Sequence, residues 1–247
     1  MTVNLGLALP SFVEDPDVPI GVALAAEAAG LDGVFVYDHL WRGDAPNRRP
    51  ALECFALLGA VAAETSRVQV GTLVARATLR PAATLANSFA TAQRVSGGRV
   101  IAGIGAGDSQ SRDENEAFGL EFGTLIDRVT ALHAAVRAAA NHDYPVWVGG
   151  RAAQVREIVA VADGWNSWGT EPERFVEQSV LVREVAPDAA LTWGGLARPL
   201  EEGAGALADR LRPYVQAGAS WIIIGPIDSS NPAHAPVLAD VREQLNR

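Results

Sequence analysis

The chain has 247 residues, 49% of them apolar, which is enough for a sizeable packed core and too apolar for a disordered chain. Its formal charge of −9 arises from 29 acidic residues spread among 20 basic ones and argues against nucleic acid as a general partner. Every basic residue is Arg, which excludes a Schiff-base lysine and the lysine of a phosphate-binding P-loop, and the one cysteine, Cys54, excludes a disulfide framework or a multi-cysteine metal site. No metal site is expected. No apolar stretch approaches the roughly 18 residues of a membrane span, and no basic leader precedes Val3, so the expectation is a cytoplasmic protein without a membrane partner.

Taken in order, the chain alternates between two periodicities. Apolar runs of strand length fall at 3–9, 33–37, 68–74, 100–104, 146–149, 164–168, 191–196 and 220–225. Ala- and Leu-rich segments with helical spacing lie at 21–29, 51–64, 81–94, 122–140, 152–162, 171–185, 200–217 and 233–245. Eight strand–helix units of about 31 residues predict a parallel (β/α)8 barrel, the TIM barrel, with an open doubly wound sheet as the rival. No compositional break interrupts them, so residues 1–247 are read as a single domain. Pro81 and Pro172 are placed to open helices, and Gly30 and Gly218 to end them ahead of strands. Cys54, followed by Phe55-Ala56-Leu57-Leu58, reads as a buried helical thiol.

The stretch 96–107, SGGRVIAGIGAG, organises the rest. Gly97-Gly98 predicts a turn at positive φ, a buried strand follows, and Gly103, Gly105 and Gly107 leave bare backbone that a flat ligand can approach. In a barrel the chemistry belongs on the loops after the strands. The second strand leads into Asp38-His39-Leu40-Trp41, which offers a proton-exchanging side chain, a flanking carboxylate to orient it and a flat apolar wall. The residues alone leave His39 open between proton exchange and a structural hydrogen bond. His133, His142 and His234 read as structural or solvated. Arg76 and Arg80, after the third strand, could meet an anion but read by default as solvated charges. Asp108, after the fourth, is either a carboxylate over the barrel mouth or a helix N-cap. The glycines before it are no dinucleotide fingerprint, because the third glycine would fall on Asp108. After the fifth strand, Gly149-Gly150-Arg151 runs into a helix N-terminus and, with Gly164-Trp165 at the next strand, suggests a phosphate cradle.

The succession DHLW, GTLV, SGGRVIAGIGAG, ENEAFG with Arg128 beyond it, PVWVGG and ADGWN resembles the bacterial luciferase-like flavin and deazaflavin oxidoreductases over about residues 5–168. The resemblance implies a barrel that binds the deazaflavin coenzyme F420, or alternatively FMN, at its C-terminal mouth. It is closest to the F420-dependent branch, and implies hydride transfer between F420 and a small alcohol, carbonyl compound or activated double bond. Carried over by position, His39 is the general acid/base, Asp108 a second proton carrier and Trp41 a substrate-packing residue. Leu73 and Val74, joined by a cis peptide, back the ring; Asp38, Gly105, Ala106, Gly107 and Ser111 edge it. Gly149, Gly150, Arg151, Gly164 and Trp165 surround the phosphate. The chain departs from the pattern in its short connection before the fifth strand, its tryptophan two positions after the histidine, and serine at 111 where asparagine is frequent. These shortened insertions imply a more open site. An FMN-dependent monooxygenase and a non-catalytic flavin-binding barrel stand as alternatives. The further expected partners are a cofactor-reducing enzyme and a second copy of the chain, for which the apolar run Cys54 to Ala63 is either the pairing surface or core.

Overall fold

The computed structural model describes residues 2–43, 48–108, 111–140 and 142–247. Asn141, in the short connection before the fifth strand, lies outside them. In chain order the elements are β1 (Asn4–Ala8), α1 (Asp17–Ala29), β2 (Gly33–Val36), β3 (Trp41–Arg42), β4 (Arg49–Pro50), α2 (Cys54–Glu64), β5 (Gln69–Thr72), β6 (Ala75–Arg76), α3 (Ala82–Val95) and β7 (Val100–Gly105). There follow α4 (Arg112–Ala117), α5 (Leu125–Ala139), β8 (Val146–Gly149), α6 (Ala152–Val159), β9 (Gly164–Trp168), α7 (Pro172–Arg183), β10 (Ala190–Ala197), α8 (Pro199–Gln216), β11 (Ala219–Pro226) and α9 (His234–Leu245).

All eight predicted strands form, and they close into a parallel barrel. The ladder runs β5-β2-β1-β11-β10-β9-β8-β7 and returns through pairing of β7 with β5. The decisive joint is β1 against β11, with Leu5 opposite Ile222 and Leu7 opposite Ile224, which an open doubly wound sheet would leave unpaired. The third stave is interrupted: β5 ends at Thr72, Leu73-Val74 bends away, and β6 resumes pairing with β7 at Ile104 and Gly105. The peptide joining Leu73 to Val74 is cis, as the resemblance implied.

Two apolar layers result from strands buried on both faces. Outward residues of the strands meet the helices in one layer, and Phe35, Leu73, Ile101, Trp147, Trp221 and Ile223 fill the barrel itself. Phe35 stacks on Trp147 at 5.8 Å and meets Trp221 edge-on at 5.9 Å, so three large rings plug the lower barrel. Small residues opposite make room for them: a Cβ on Gly6 would lie 2.7 Å from Phe35 and one on Gly71 2.9 Å. Beneath the strands, Asp32 accepts from Leu5 N and Asp163 from Val146 N, each at 2.8 Å.

The helix punctuation is mostly as predicted. Gly30 (φ 87°) and Gly218 (φ 95°) follow α1 and α8 in the left-handed region, where glycine has no steric cost, and Pro172 opens α7. Pro81 sits one position earlier than expected: its extended ψ of 142° makes it the cap, and Ala82 the first helical residue. The helix predicted from 122 starts at Leu125, because Thr124 and Asp127 form a reciprocal capping box. Cys54, Leu57, Leu58, Val61 and Ala62 of α2 are buried within this chain, so the apolar face considered for pairing with a second copy is core. Among the described residues, no helix is long and apolar enough to cross a membrane.

Candidate functional site

Parallel register brings the ends of β2, β5/β6 and β7 side by side: Val36 lies opposite Thr72, and Gly105 opposite Arg76 and Gly149. The loops leaving them share the C-terminal mouth. After β2 the chain carries Asp38 and His39 into the β3–β4 hairpin, and after β7 it passes Asp108 into α4.

Asp38 is buried, and it accepts from Arg76 N at 2.8 Å and from both terminal nitrogens of the Arg80 guanidinium at 2.7 and 3.1 Å. Arg76 donates through Nε to the Asp38 carbonyl at 2.8 Å and through Nη1 to Asn115 at 2.9 Å. Both arginines therefore belong to the framework, contrary to the expectation of solvated charges. Burial opposes the charge of Arg80, but Asp38 and Glu53 outweigh it and push its pKa up.

The carboxylate that holds His39 comes instead from α4. Glu114 is buried, with Oε2 3.0 Å from His39 Nδ1, Oε1 accepting from Leu40 N and from Trp41 N at 3.2 Å, and Arg76 Nη2 3.2 Å away. Burial raises its pKa, but the His39 hydrogen bond, the Leu40 N–H and the Arg76 charge together bring it below the usual carboxylate range. An ionised carboxylate only accepts, so Nδ1 of His39 is the donor and Nε2 is left as the proton-exchanging atom. The imidazole is 36% exposed, open enough for a ligand to reach.

Val74 forms a floor. A Cβ on Gly105 would stand 2.4 Å from its Cγ2, and one on Gly149 2.7 Å from its Cγ1. The bare backbone predicted to admit a flat ligand thus receives this isopropyl group. A Cβ on Gly103 would stand 2.1 Å from the Thr72 carbonyl oxygen, so that glycine serves strand packing. Ala106 and Gly107 are half-buried at the rim, where Gly107 has φ 74°. Asp108 is exposed, and its Oδ1 accepts from Ser111 N at 3.2 Å and Ser111 Oγ at 3.3 Å, with Ser111 buried beneath it. The hydrogen bond from Ser111 N is cap-like, although Ser111 itself stands at the N-cap of α4. Trp41, half-buried, lies between the Arg48 guanidinium at 4.1 Å and the Phe118 ring at 5.3 Å.

The expected phosphate cradle divides. Gly149, Gly150 and the exposed Arg151 lead into α6 at the rim, although the first-turn N–H of Ala152 is taken by Gln178 Oε1 at 3.0 Å. Gly164 sits lower, opposite Trp147, with its Cβ position 2.6 Å from that ring. Trp165 is wholly buried against Phe175, and its Nε1 holds the Gly150 carbonyl at 2.8 Å. Both are a step too deep because the register puts Asn166, not Gly164, level with Gly149. His142 stacks on Tyr144 at 5.4 Å, and His234, buried at the start of α9, donates through Nε2 to the Asp228 carbonyl.

Sequence reasoning gave no role to Glu114, Phe12, Tyr37 or Trp168. Phe12 lies 5.6 Å from the His39 ring and 6.0 Å from Tyr37, which meets Trp168 edge-on at 5.8 Å. Glu114 stands in the acidic run Asp113-Glu114-Asn115-Glu116, which reads as a solvated helix; only its place in the ENEAFG motif marked it.

A closed parallel barrel with an oriented, accessible histidine at its C-terminal mouth defines a (β/α)8 protein whose site lies on the βα loops. Within that class the chain belongs to the luciferase-like monooxygenase family, whose model matches residues 9–199. It is 38% identical over 118 residues to an F420-dependent glucose-6-phosphate dehydrogenase of Amycolatopsis mediterranei, a match covering 47% of this chain and 34% of that protein. The chain thus spans about a third of the length of such curated relatives. An F420-dependent secondary alcohol dehydrogenase, solved in complex with an F420–acetone adduct, superposes with a TM-score of 0.85 at 15% identity over 100% of both chains. The coenzyme F420 dependent tetrahydromethanopterin reductase from Methanopyrus kandleri gives a TM-score of 0.76 at 14% identity, covering 97% of this chain and 98% of that one.

Proposed function

We propose that the chain is an F420-dependent oxidoreductase acting on a small organic alcohol, carbonyl compound or activated double bond. The observation that carries this reading is His39, open to the mouth on one side and fixed through Nδ1 by the buried, ionised Glu114 on the other. The relatives that share its sequence and the barrels that share its fold include F420-dependent enzymes.

The residues fit a flat deazaflavin. Val74, raised on Gly105 and Gly149, offers an apolar floor. Arg151, exposed at the start of α6, presents its guanidinium and the helix dipole to a phosphate at the rim. When bound there, F420 supplies a carbon that gives or accepts a hydride. His39 Nε2 takes or returns the proton of the substrate oxygen, and Glu114 stabilises the imidazolium that results. Leu73 and Val74 exclude water from one side, while Asp108 at the rim is the second proton carrier.

Titration of the chain with F420 and with FMN tests this directly. F420 is expected to bind at least tenfold more tightly; FMN binding tenfold more tightly would instead favour a flavin-dependent monooxygenase, as the family's description allows. Binding of F420 without turnover of any alcohol, aldehyde or enone would leave a non-catalytic cofactor-binding barrel.

A further inference from the structure

Behind His39 lies a charge that the chemistry above does not use. Arg76, at the end of β6, is buried, and its stem passes beneath the rim, with Cδ 3.5 Å from where a Cβ on Gly107 would stand. Two of its guanidinium nitrogens are committed, Nε to the Asp38 carbonyl and Nη1 to Asn115. The third, Nη2, is buried and has no hydrogen-bond partner among the described residues. It stands 3.2 Å from Glu114 Oε1, an oxygen already occupied by the N–H groups of Leu40 and Trp41. What Arg76 gives Glu114 is therefore charge, not a further hydrogen bond. Burial pulls the Arg76 pKa below the usual arginine value against the opposing pull of Glu114 and Asp38, but a guanidinium remains charged.

The charges around it balance in pairs. Asp38 takes Arg80 at 2.7 Å, and Arg80 reaches on to Glu53 at the start of α2, which leaves Arg76 facing Glu114. The other charged or titratable groups on the elements around the His39 ring are few. Arg42 of β3 lies over Phe12 and Arg48 over Trp41. Asp113 and Glu116 of α4 are exposed, as is Asp108 after β7, whose charge acts on Arg76. At the end of β2, burial pushes the Tyr37 hydroxyl up, so it stays neutral.

We infer that Arg76 is a positioning residue for proton exchange: from 3.2 Å it offsets the charge of Glu114, so that the carboxylate orients His39 Nδ1 without fixing a proton on Nε2. A carboxylate left uncompensated at hydrogen-bond distance favours the imidazolium, which cannot accept a proton. With Arg76 in place, Nε2 takes the proton of the substrate oxygen and returns it, while Glu114 and Arg76 keep their charges throughout. The catalytic consequence rests on the F420 reading above; the effect on the imidazole does not.

The test follows the chain's four imidazoles against pH by proton–nitrogen NMR in the full chain without cofactor, His39 being identified by the signals lost in His39→Gln. Arg76→Gln is expected to raise the His39 titration midpoint by about one pH unit, and Arg76→Lys, which keeps the charge, by less than about half of that. The signals of His133, His142 and His234 serve as references and should not move. With F420 and an alcohol, the rise of kcat/KM with pH should shift upward by the same interval in Arg76→Gln. An unmoved His39 midpoint in Arg76→Gln, or an equal rise in Arg76→Lys, overturns the inference. If Arg76→Gln alone does not fold, the double variant with Glu114→Gln replaces both members of the buried pair, a change better tolerated than loss of one. Its His39 midpoint is expected to lie about half a unit or more above that of Glu114→Gln alone, because a bare cation has been removed from behind the ring; no difference overturns the inference. A shifted midpoint in a chain that oxidises no alcohol with F420 supports the role of Arg76 and overturns the F420 reading alone. Turnover whose pH dependence ignores the shifted midpoint overturns the inference and leaves that reading standing.

Discussion

Glu114 joins the mouth's chemistry to its stability. Its carboxylate receives His39 Nδ1, two backbone N–H groups and Arg76, all from segments distant in sequence. His39→Gln is expected to lower kcat/KM with F420 and an alcohol by about 10²-fold or more, the usual contribution of a positioned acid/base. Glu114→Gln leaves the buried Arg76 short of a counter-charge and is expected to cost about 3 kcal/mol in urea unfolding. The pH dependence follows from the sign of the shift. The folded-state pKa of Glu114 lies below its ordinary value of 4.5, so its stabilisation is complete above that pH and is lost as the pH falls below it. Wild type should lose stability in that acid range by a component that Glu114→Gln lacks. Asp38 and His39 were legible because they adjoin in sequence at a strand end. Their division of labour was not, since it depends on a carboxylate 75 residues from His39.

At the level of elements, the glycines of β7 and β8 show how a motif can be found while its use is misread. Gly105 and Gly149 stand out in the sequence as bare backbone, but the side chain that fills the space, Val74, enters from the bend between β5 and β6. Gly105→Ala is expected to displace Val74 and weaken F420 binding at least tenfold, and adding Val74→Ala to restore part of it. Independent effects of the two changes would refute the packing account. Gly103→Ala faces the Thr72 carbonyl, which no rotamer change can move aside, so a loss of about 3 kcal/mol is expected in thermal or urea unfolding. Arg99 fixes another joint, bonding the carbonyls of Ala62, Thr65 and Val68 where α2 gives way to β5. Helix ends marked by Gly30, Gly218 and Pro172 were readable because their signals are local. The interrupted third stave and the hairpin of β3 and β4 were not, because two-residue strands carry no periodicity.

For the molecule as a whole, the alternation of strand-length and helix-length segments carried the architecture, and the pairing of β1 with β11 decided between barrel and open sheet. That joint has a clasp. Asn246 accepts from Val3 N at 2.7 Å and donates to the Val3 carbonyl at 3.0 Å, binding the end of α9 to the start of β1. Asn246→Ala removes both bonds and is expected to cost about 1–2 kcal/mol, lowering the melting temperature by roughly 2–8 °C. An unchanged melting temperature would place the barrel's weak seam elsewhere. The side chains that form the site come from loops after different staves, and their convergence depends on barrel closure, which no local pattern records.

Cys54 is the chain's one cysteine, and it lies buried at the start of α2. Burial pushes its thiol pKa up and the neighbouring Asp38 adds to the effect, so at neutral pH it offers neither a thiolate nor an approach path. The protein is thus a ready background for single-site labelling. A maleimide dye coupled to Ile227→Cys would occupy the exposed rim alone, and its emission would report ligands entering the mouth without prior removal of a native thiol.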